Sequence, residues 1–133
     1  MRKILLLVLV LAVIGAGVAY RMWTAKPEIA ASKAADVSVP ATQLYKAFVA
    51  DEAAAGARYN DKVVQVSGHV REIHKEGGRT SVSLETGDPL GAVVCEFNAD
   101  EAPELTNSDT VAIKGFCAGY NLDVLLQRCS VVK

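Results

Sequence analysis

Hydrophobic positions follow three different patterns in succession along this chain. Residues 4–20 form an unbroken apolar run without a charged side chain. Apolar residues then recur at helical spacing between Leu44 and Ala55, and from residue 62 onward they mostly alternate with polar residues. A spacing of three to four residues predicts a helix, and alternation predicts half-buried strands. The pattern therefore predicts an apolar helix, a short amphipathic helix and a β-rich remainder.

The apolar run has the layout of an export signal, with Arg2 and Lys3 before it and small residues towards its end. As a helix it would extend about 25 Å, which is near the lower limit for crossing a bilayer. One interpretation is a retained anchor over residues 1–23, with Tyr20 and Trp23 at the membrane interface. The other is a signal that is cleaved near Ala19. Both interpretations predict that the rest of the chain is exported.

Residues 24–39 show no apolar period and are rich in Ala, Lys, Ser and Asp, which predicts a linker. The folded domain is predicted to occupy residues 40–133. Its first helix is expected to begin near Pro40, because a first turn does not need the missing N–H. Ser38 is a candidate N-cap for this helix, and Gly56 is expected to end it.

The alternating part of the chain predicts five strands, and Gly68 predicts a bulge or bend in the first of them. The predicted strands are 62–74, 79–84, 91–97, 111–115 and 123–132. The polar segment 98–107 predicts a helical connection between strands three and four. These elements describe a mainly β fold, the five-stranded OB-fold Greek-key barrel with a preceding helix. An open five-stranded sheet with one helix is the alternative.

Charge distribution argues against strong nucleic-acid binding. The chain carries 14 basic and 15 acidic residues, for a net charge of −1. Arg2, Lys3 and Arg21 belong to the N-terminal segment, which leaves 11 basic residues against all 15 acidic ones in the exported part, a net charge of −4. A phosphate backbone needs a local positive field, so this composition makes nucleic acid an unfavourable partner.

A ligand face is predicted where OB-folds usually bind, beside the loops that join strands one and two and strands four and five. In this chain those loops fall at about 75–78 and 119–122. The predicted ligand-binding residues are Arg71, Lys75, Arg79, Tyr120 and Asn121. Under the alternative interpretation the charges form a solvated face and Tyr120-Asn121 is only a tight turn.

Three cysteines are an odd number for an exported chain. A two-residue turn at 120–121 would place Cys117 opposite Val124, roughly 16 Å along the ladder from Cys129. That separation is too large for a disulfide. Strands three and five run side by side in an OB-fold, so Cys95 and Cys129 are predicted to form a bridge. Three buried thiols are the alternative.

No pattern predicts a metal site, a cofactor or catalysis. His69 and His74 are five residues apart, so on a regular strand they point to opposite faces. The cysteine and histidine spacings do not match zinc motifs. The serines lack histidine and acid partners at a catalytic spacing, and Gly77-Gly78 is typical of a hairpin turn. The sequence therefore predicts a protein that is not an enzyme.

Four segments resemble the tRNA_anti-like family of small bacterial OB-fold proteins, which are usually exported or tethered to a membrane. They are Ala57–Gly68, Val94–Phe97, Ile113–Tyr120 and Asp123–Cys129. The resemblance covers roughly residues 40–132. It implies the fold and the compartment, and it implies no catalytic residue.

These observations together predict a non-enzymatic binding module of the bacterial cell envelope. Its expected location is the inner membrane, as a single-pass protein with an exported, periplasmic domain, or outside the membrane after cleavage near Ala19. The expected ligand is an envelope protein or a small envelope molecule. The alternatives are binding of single-stranded nucleic acid or oligosaccharide, and a structural role within an envelope complex.

Overall fold

The computed structural model of the protein describes residues 1–24, 33–101 and 103–132. Three helices and six strands occur in these ranges, with a single 3-10 turn at Ala99–Glu101. In chain order the elements are α1 (Arg2–Thr24), β1 (Val37–Pro40), α2 (Ala41–Ala50), α3 (Glu52–Tyr59), β2 (Val63–Glu76), β3 (Arg79–Leu84), β4 (Val93–Phe97), β5 (Thr110–Asn121) and β6 (Asp123–Val131).

Helix α1 is a continuous apolar helix of 23 residues with no buried side chain. Its mean hydropathy of 2.5 and its length are sufficient for a membrane span. At the helical rise it extends about 35 Å, which exceeds the hydrocarbon core of a typical bilayer. The helix extends beyond the predicted apolar run at both ends, and it fits a membrane anchor or a signal.

The predicted first helix of the domain is in fact two helices. Asp51 interrupts it with an extended backbone, and its carboxylate accepts a hydrogen bond from the Ala54 N–H at 3.1 Å. An aspartate that caps a new helix favours such a break. Gly56 lies inside α3, so the prediction that it ends the helix was wrong. Pro40 itself is the N-cap residue of α2, which has no side-chain cap, so Ser38 does not cap it.

Strands β2 to β6 form a closed barrel. The sheet order is β1-β2-β3-β4-β6-β5, and β2 pairs with β5 to close it. Strands β4 and β6 are parallel neighbours, as the OB-fold prediction required. The predicted five-stranded OB-fold barrel is therefore confirmed. Strand β1 pairs in parallel with the start of β2, so Val37–Pro40, expected at the end of the linker, form a strand. Residues 25–32 of that linker lie outside the described residues.

The bend in β2 lies at Arg71 and not at Gly68. Residues 63–69 of this strand pair with β5 and residues 70–76 pair with β3, with the register shift between Val70 and Glu72. Gly68 has a different role, because a Cβ atom there would lie 3.2 Å from the Cβ of Ala41 on α2. The glycine thus allows the helix to approach the strand closely.

Two predicted connections differ from the structure. The segment after β4 forms only the 3-10 turn at Ala99–Glu101 within the described residues, and Pro103 lacks the N–H that a longer helix would use. Tyr120 and Asn121 belong to β5, and Leu122 is the turn residue, with Asn121 paired to Asp123.

The register of the last hairpin was therefore predicted wrongly. Two irregularities in β5 and the short turn shift the pairing, so that Cys117 lies opposite Leu126 and not opposite Val124. The inward side chains of the strands and the apolar faces of α2 and α3 form one core cluster. The structure is thus a barrel with one end covered by two short helices.

Candidate functional site

The outward face of strands β2, β3, β4 and β6 is the surface that OB-folds commonly use for ligands. Strand register places its side chains in two rows across the sheet. One row consists of Glu72, Ser83, Val94 and Leu125, and the other of His74, Ser81 and Glu96. We call these seven residues the sheet face.

The sheet face is polar and acidic. It carries the carboxylates of Glu72 and Glu96, with Glu76 next to them at the end of β2. The Nε2 atom of His74 lies 3.1 Å from the Glu76 carboxylate. None of the seven residues is Phe, Tyr or Trp. Because single-stranded nucleic acid is usually held by stacking rings and a basic groove, this face does not offer the usual chemistry for it.

Arg71, the first residue of the predicted ligand face, forms hydrogen bonds to other residues of the protein. Its Nε and Nη2 atoms donate to the two carboxylate oxygens of Glu85, both at 2.9 Å. Nη2 also donates to the Asp88 carbonyl at 2.8 Å, and Nη1 to the Gly91 carbonyl at 3.1 Å. The hydrogen bonds from Arg71 hold the pKa of Glu85 below its ordinary value. Arg71 therefore fastens the loop of residues 85–92 to the bulge in β2.

Lys75 and Arg79 lie elsewhere, at the tip of the β2–β3 hairpin. Both side chains are exposed, and Arg79 is paired in register with Glu76. From Arg71 to Glu76 the strand advances five residues, which is roughly 16 Å at strand rise. The structure thus divides the five predicted residues between two ends of the barrel. Ligand binding by this set remains a prediction.

Tyr120 and Asn121 lie at the same end as Arg71, but Tyr120 is not a free loop side chain. Its ring stacks on Phe48 with centroids 5.9 Å apart and meets Tyr45 edge-on at 6.2 Å. Phe48 also packs against Tyr59 at 6.0 Å. The half-buried Tyr120 is therefore part of an aromatic cluster that closes this end of the barrel.

Two grooves adjoin Tyr120. The larger, of about 710 Å³, runs between α3 and β5 past Glu52, Gly56 and Asn60. The smaller, of about 360 Å³, contains Asn121 and reaches Val94 and Leu125 of the sheet face. Tyr120 thus connects the sheet face to the helical end of the barrel.

Tyr45 and the loop of residues 85–92 form a further part of the surface that the sequence analysis missed. The Tyr45 ring rests directly on Gly91, where any side chain would collide with it. Its hydroxyl donates to a carboxylate oxygen of Asp88 at 3.3 Å. Burial and the neighbouring Asp88 charge raise the pKa of Tyr45. In the sequence, Leu90 was the available signal, since it is a large apolar residue in a segment that is otherwise typical of a turn.

A basic corner lies next to the sheet face, because Arg128 lines one groove with Glu96 and Arg79. The Arg128 guanidinium stands 4.2 Å from the centre of the Phe116 ring, and the Lys33 ammonium lies 5.7 Å from it. Lys114 donates to the Lys33 carbonyl at 2.7 Å. We call Lys33, Lys114, Phe116 and Arg128 the basic corner. The sequence analysis did not single out these residues, because they come together only through strand register and the chain segment before β1.

The three cysteines are free, buried thiols in this structure. Cys95 and Cys129 nevertheless lie next to each other, and burial strongly raises the pKa of Cys129. Gly115 makes room for this contact, since a Cβ there would lie 2.5 Å from the Cys129 sulfur. Cys117 donates separately to Asn60 Oδ1 at 3.6 Å. The Cys95–Cys129 disulfide stays a prediction. A disulfide requires the two cysteines to be neighbours, and in this structure they are.

A metal site has no candidate cluster in the part of the chain that the structure describes. No group of three or more His, Cys, Asp or Glu side chains comes together in residues 1–24, 33–101 and 103–132. The Nδ1 atom of His69 instead lies within hydrogen-bonding distance of the Thr110 hydroxyl, at 3.0 Å. The surface as described offers hydrogen bonding, apolar contact and charge complementarity.

Comparison with known proteins supports the fold. The tRNA_anti-like family model matches residues 1–131, and no curated protein sequence matches the chain. A lipoprotein from Klebsiella pneumoniae subsp. pneumoniae MGH 78578, whose name proposes nucleic-acid binding, shares 21% identity with a TM-score of 0.61. The match covers 81% of this chain and all of that one. At this identity the likeness supports the fold alone.

A second similar structure is much larger than this chain. A protein from Leishmania major Friedlin, whose name proposes an aspartyl-tRNA synthetase, shares 12% identity with a TM-score of 0.50. The match covers 90% of this chain and only 26% of that protein. The shared part is therefore one module within a longer chain.

Proposed function

We propose that this chain, which belongs to the tRNA_anti-like family, is a non-catalytic binding module held at the bacterial cell envelope by its N-terminal helix. Its proposed ligand is a protein of the envelope or a small envelope molecule. Helix α1 supports the location, since none of its side chains is buried and its apolar length suits a bilayer.

The observation that carries this proposal is the chemistry of the sheet face. Its seven residues provide carboxylates, hydroxyls, an imidazole and two aliphatic side chains, and no Phe, Tyr or Trp ring. Together with the net charge of −4 outside the N-terminal segment, this composition favours a neutral or basic ligand over a phosphate backbone.

Binding of single-stranded nucleic acid is the second candidate, and one observation favours it. The basic corner combines the Phe116 ring with the cations of Lys33, Lys114 and Arg128. Rings and cations together are the elements of a single-strand site. Phe116 is half-buried beneath Arg128, so the corner offers cations more than a free stacking surface.

Two measurements on the full chain test the proposal. A photo-crosslinking residue at Ser83 on the sheet face is expected to join the protein to one envelope partner in cells, and the same residue at Lys133 is the control. The full chain in zwitterionic nanodiscs is expected not to bind a single-stranded oligonucleotide at low salt. Salt-dependent binding of the oligonucleotide that Arg128→Gln weakens would replace the proposal with the second candidate.

Location is tested separately. If α1 is retained as an anchor, the protein stays with membranes after alkaline extraction and its intact mass includes residue 1. A mature mass that begins after Ala19 would show a cleaved signal instead. The proposed binding role and the proposed anchoring can thus fail independently.

A further inference from the structure

Large exposed apolar side chains are rare outside α1. Among the described residues of the rest of the chain they are Val49, Leu90 and Leu122, which are 55%, 87% and 72% exposed. They come from three separate elements, namely α2, the loop of residues 85–92 and the β5–β6 turn. We call these three residues the apolar end.

All three belong to the same end of the barrel. The Tyr45 ring rests on Gly91, the neighbour of Leu90, and Val49 follows Tyr45 by one helical turn. The β5–β6 turn is joined to the same loop by two hydrogen bonds around Ala92. The Ala92 N–H donates to Asp123 Oδ1 at 2.8 Å, and the Val124 N–H donates to the Ala92 carbonyl at 3.0 Å. The three residues of the apolar end are therefore linked through the loop of residues 85–92.

The backbone that presents this surface is firmly held. Arg71 binds the carbonyls of Asp88 and Gly91. The Thr86 hydroxyl donates to the Gly91 carbonyl at 2.7 Å, and the Leu90 N–H donates to Asp88 Oδ1 at 2.8 Å. A loop ordered in advance loses little conformational entropy when a partner binds. An apolar groove of about 600 Å³, lined by Tyr45 and Val49, lies beside it.

Leu122 also sits in an unfavourable backbone conformation. Its φ of 63° lies in the left-handed region, which favours glycine or asparagine over leucine. A leucine that is 72% exposed there gains little burial in return. Local strain that does not serve packing is a reason to look for function.

Charge around the apolar end selects the kind of partner. Four carboxylates lie at this end, those of Glu52, Glu85, Asp88 and Asp123. Two cations accompany them, namely Arg71, which pairs with Glu85, and Lys46, which lines the apolar groove. An acidic rim opposes binding to an anionic bilayer and complements a basic polypeptide. Exposed apolar residues inside a polar rim are typical of a protein interface.

We infer that the apolar end docks a polypeptide segment in which apolar side chains are flanked by lysine or arginine. This inference rests on the proposed function as a binding module and assigns the partner's chemistry. The apolar side chains of the partner would cover Leu90 and Leu122, and its cations would face the acidic rim. Its residues differ from those of the sheet face, since they come from α2, a loop and a turn, although Asp123 lines one groove with Val94 and Leu125 of the sheet face.

Two synthetic peptides of equal length test this inference on the full chain in zwitterionic nanodiscs. One carries leucines flanked by lysines, and the other carries the same leucines flanked by glutamates. We expect the lysine peptide to bind at least about tenfold more tightly, measured by fluorescence anisotropy with empty nanodiscs as the blank. The double variant Leu90→Ser, Leu122→Asn is expected to weaken that binding about tenfold. Asparagine suits the backbone at 122, so this variant keeps the turn.

The matched control is Asn98→Ala, Gln127→Ala, two exposed polar residues in the groove beside Arg79, which should leave peptide affinity unchanged. Equal affinity for both peptides, no binding of either, or no effect of the double variant would overturn the inference. Self-association of the chain that the double variant abolishes would also overturn it, because the occupant would then be a second copy. If the Ser83 crosslink to a partner persists while the lysine peptide fails to bind, the proposed function stands and this inference falls.

Discussion

At one end of the barrel Arg71 donates four hydrogen bonds within the protein, whereas at the other end Arg79 is exposed on the β2–β3 hairpin. The two arginines lie eight residues apart in the same predicted ligand face. Arg71 occupies a bulge beside a loop whose carbonyls accept its hydrogen bonds. Arg79 is paired with Glu76 in a regular ladder and lines an open groove with Glu96 and Arg128. The groups that the fold places beside an arginine therefore decide its role. Arg71 stabilises a loop, whereas Arg79 remains exposed to solvent.

The turns at the two ends differ in the same way. In the β2–β3 turn the two residues with left-handed backbone conformation are glycines, Gly77 and Gly78, at φ values of 58° and 76°. In the β5–β6 turn the residue with left-handed backbone conformation is a leucine, Leu122. The hairpin end therefore follows ordinary turn chemistry. The helical end keeps a residue that turn stability alone would not favour, which is consistent with a role in binding.

Removing the aromatic support at the helical end should produce the largest effect. Phe48 is fully buried between Tyr59 and Tyr120. Phe48→Ala is expected to lower the free energy of unfolding by about 3–5 kcal/mol, measured by urea denaturation of the full chain in detergent. The neighbouring exposed residue supplies the control, since Val49→Ala should change the free energy of unfolding by less than about 0.5 kcal/mol. Equal effects of the two substitutions would contradict the described packing.

Substitution of the two arginines should give the next largest difference. Arg71→Ala removes bonds to Glu85 and to two loop carbonyls, and we expect a loss of about 1–2 kcal/mol because the site is partly exposed. Arg79→Ala should cost less than about 0.5 kcal/mol. Hydrogen exchange of the amides in 85–92 should rise in the first variant and not in the second. Unchanged exchange in both would show that Arg71 does not hold the loop.

A smaller effect is expected from acid. The Arg71 guanidinium lowers the pKa of Glu85 in the folded protein. A carboxyl group with a lowered folded pKa contributes stability above its unfolded pKa, and that contribution disappears as pH falls through the folded value. The melting temperature of the wild type should therefore drop more steeply than that of Glu85→Gln as pH falls below about 4.3. Parallel pH curves would argue against the pairing.

The smallest expected effect is a gain at the β5–β6 turn. Leu122→Asn should raise the free energy of unfolding by about 0.5–1 kcal/mol, because asparagine tolerates a positive φ better than leucine. Gly77→Ala at the hairpin end should act in the opposite direction by a similar amount, since it introduces a side chain at a positive φ. Thermal unfolding of both variants measures this. A loss of stability with asparagine at 122 would mean that Leu122 contributes to packing.

Several features could be predicted because they depend on local pattern. Alternation from residue 62 onward indicated the barrel strands, and the predicted bounds 79–84 agree with β3. The parallel contact between β4 and β6 followed from the OB-fold order, and it placed Cys95 and Cys129 as neighbours. The register of the last hairpin was not predictable, because irregular positions in β5 shift the pairing without a local sequence signal.

By itself the sequence determined the apolar N-terminal helix, the strand periods, the acidic balance of the chain after that helix and the family. Only the tertiary structure decided that the Arg71 charge is bound within the protein while Arg79 is exposed. It also decided that the exposed side chains of Leu90 and Leu122 lie at the same end of the barrel. The physical reason is that period and composition act within a few residues of chain. The Arg71–Glu85 pair, the Tyr45–Gly91 contact and the apolar end join residues far apart in sequence, through bulges and loops whose geometry depends on the closed barrel.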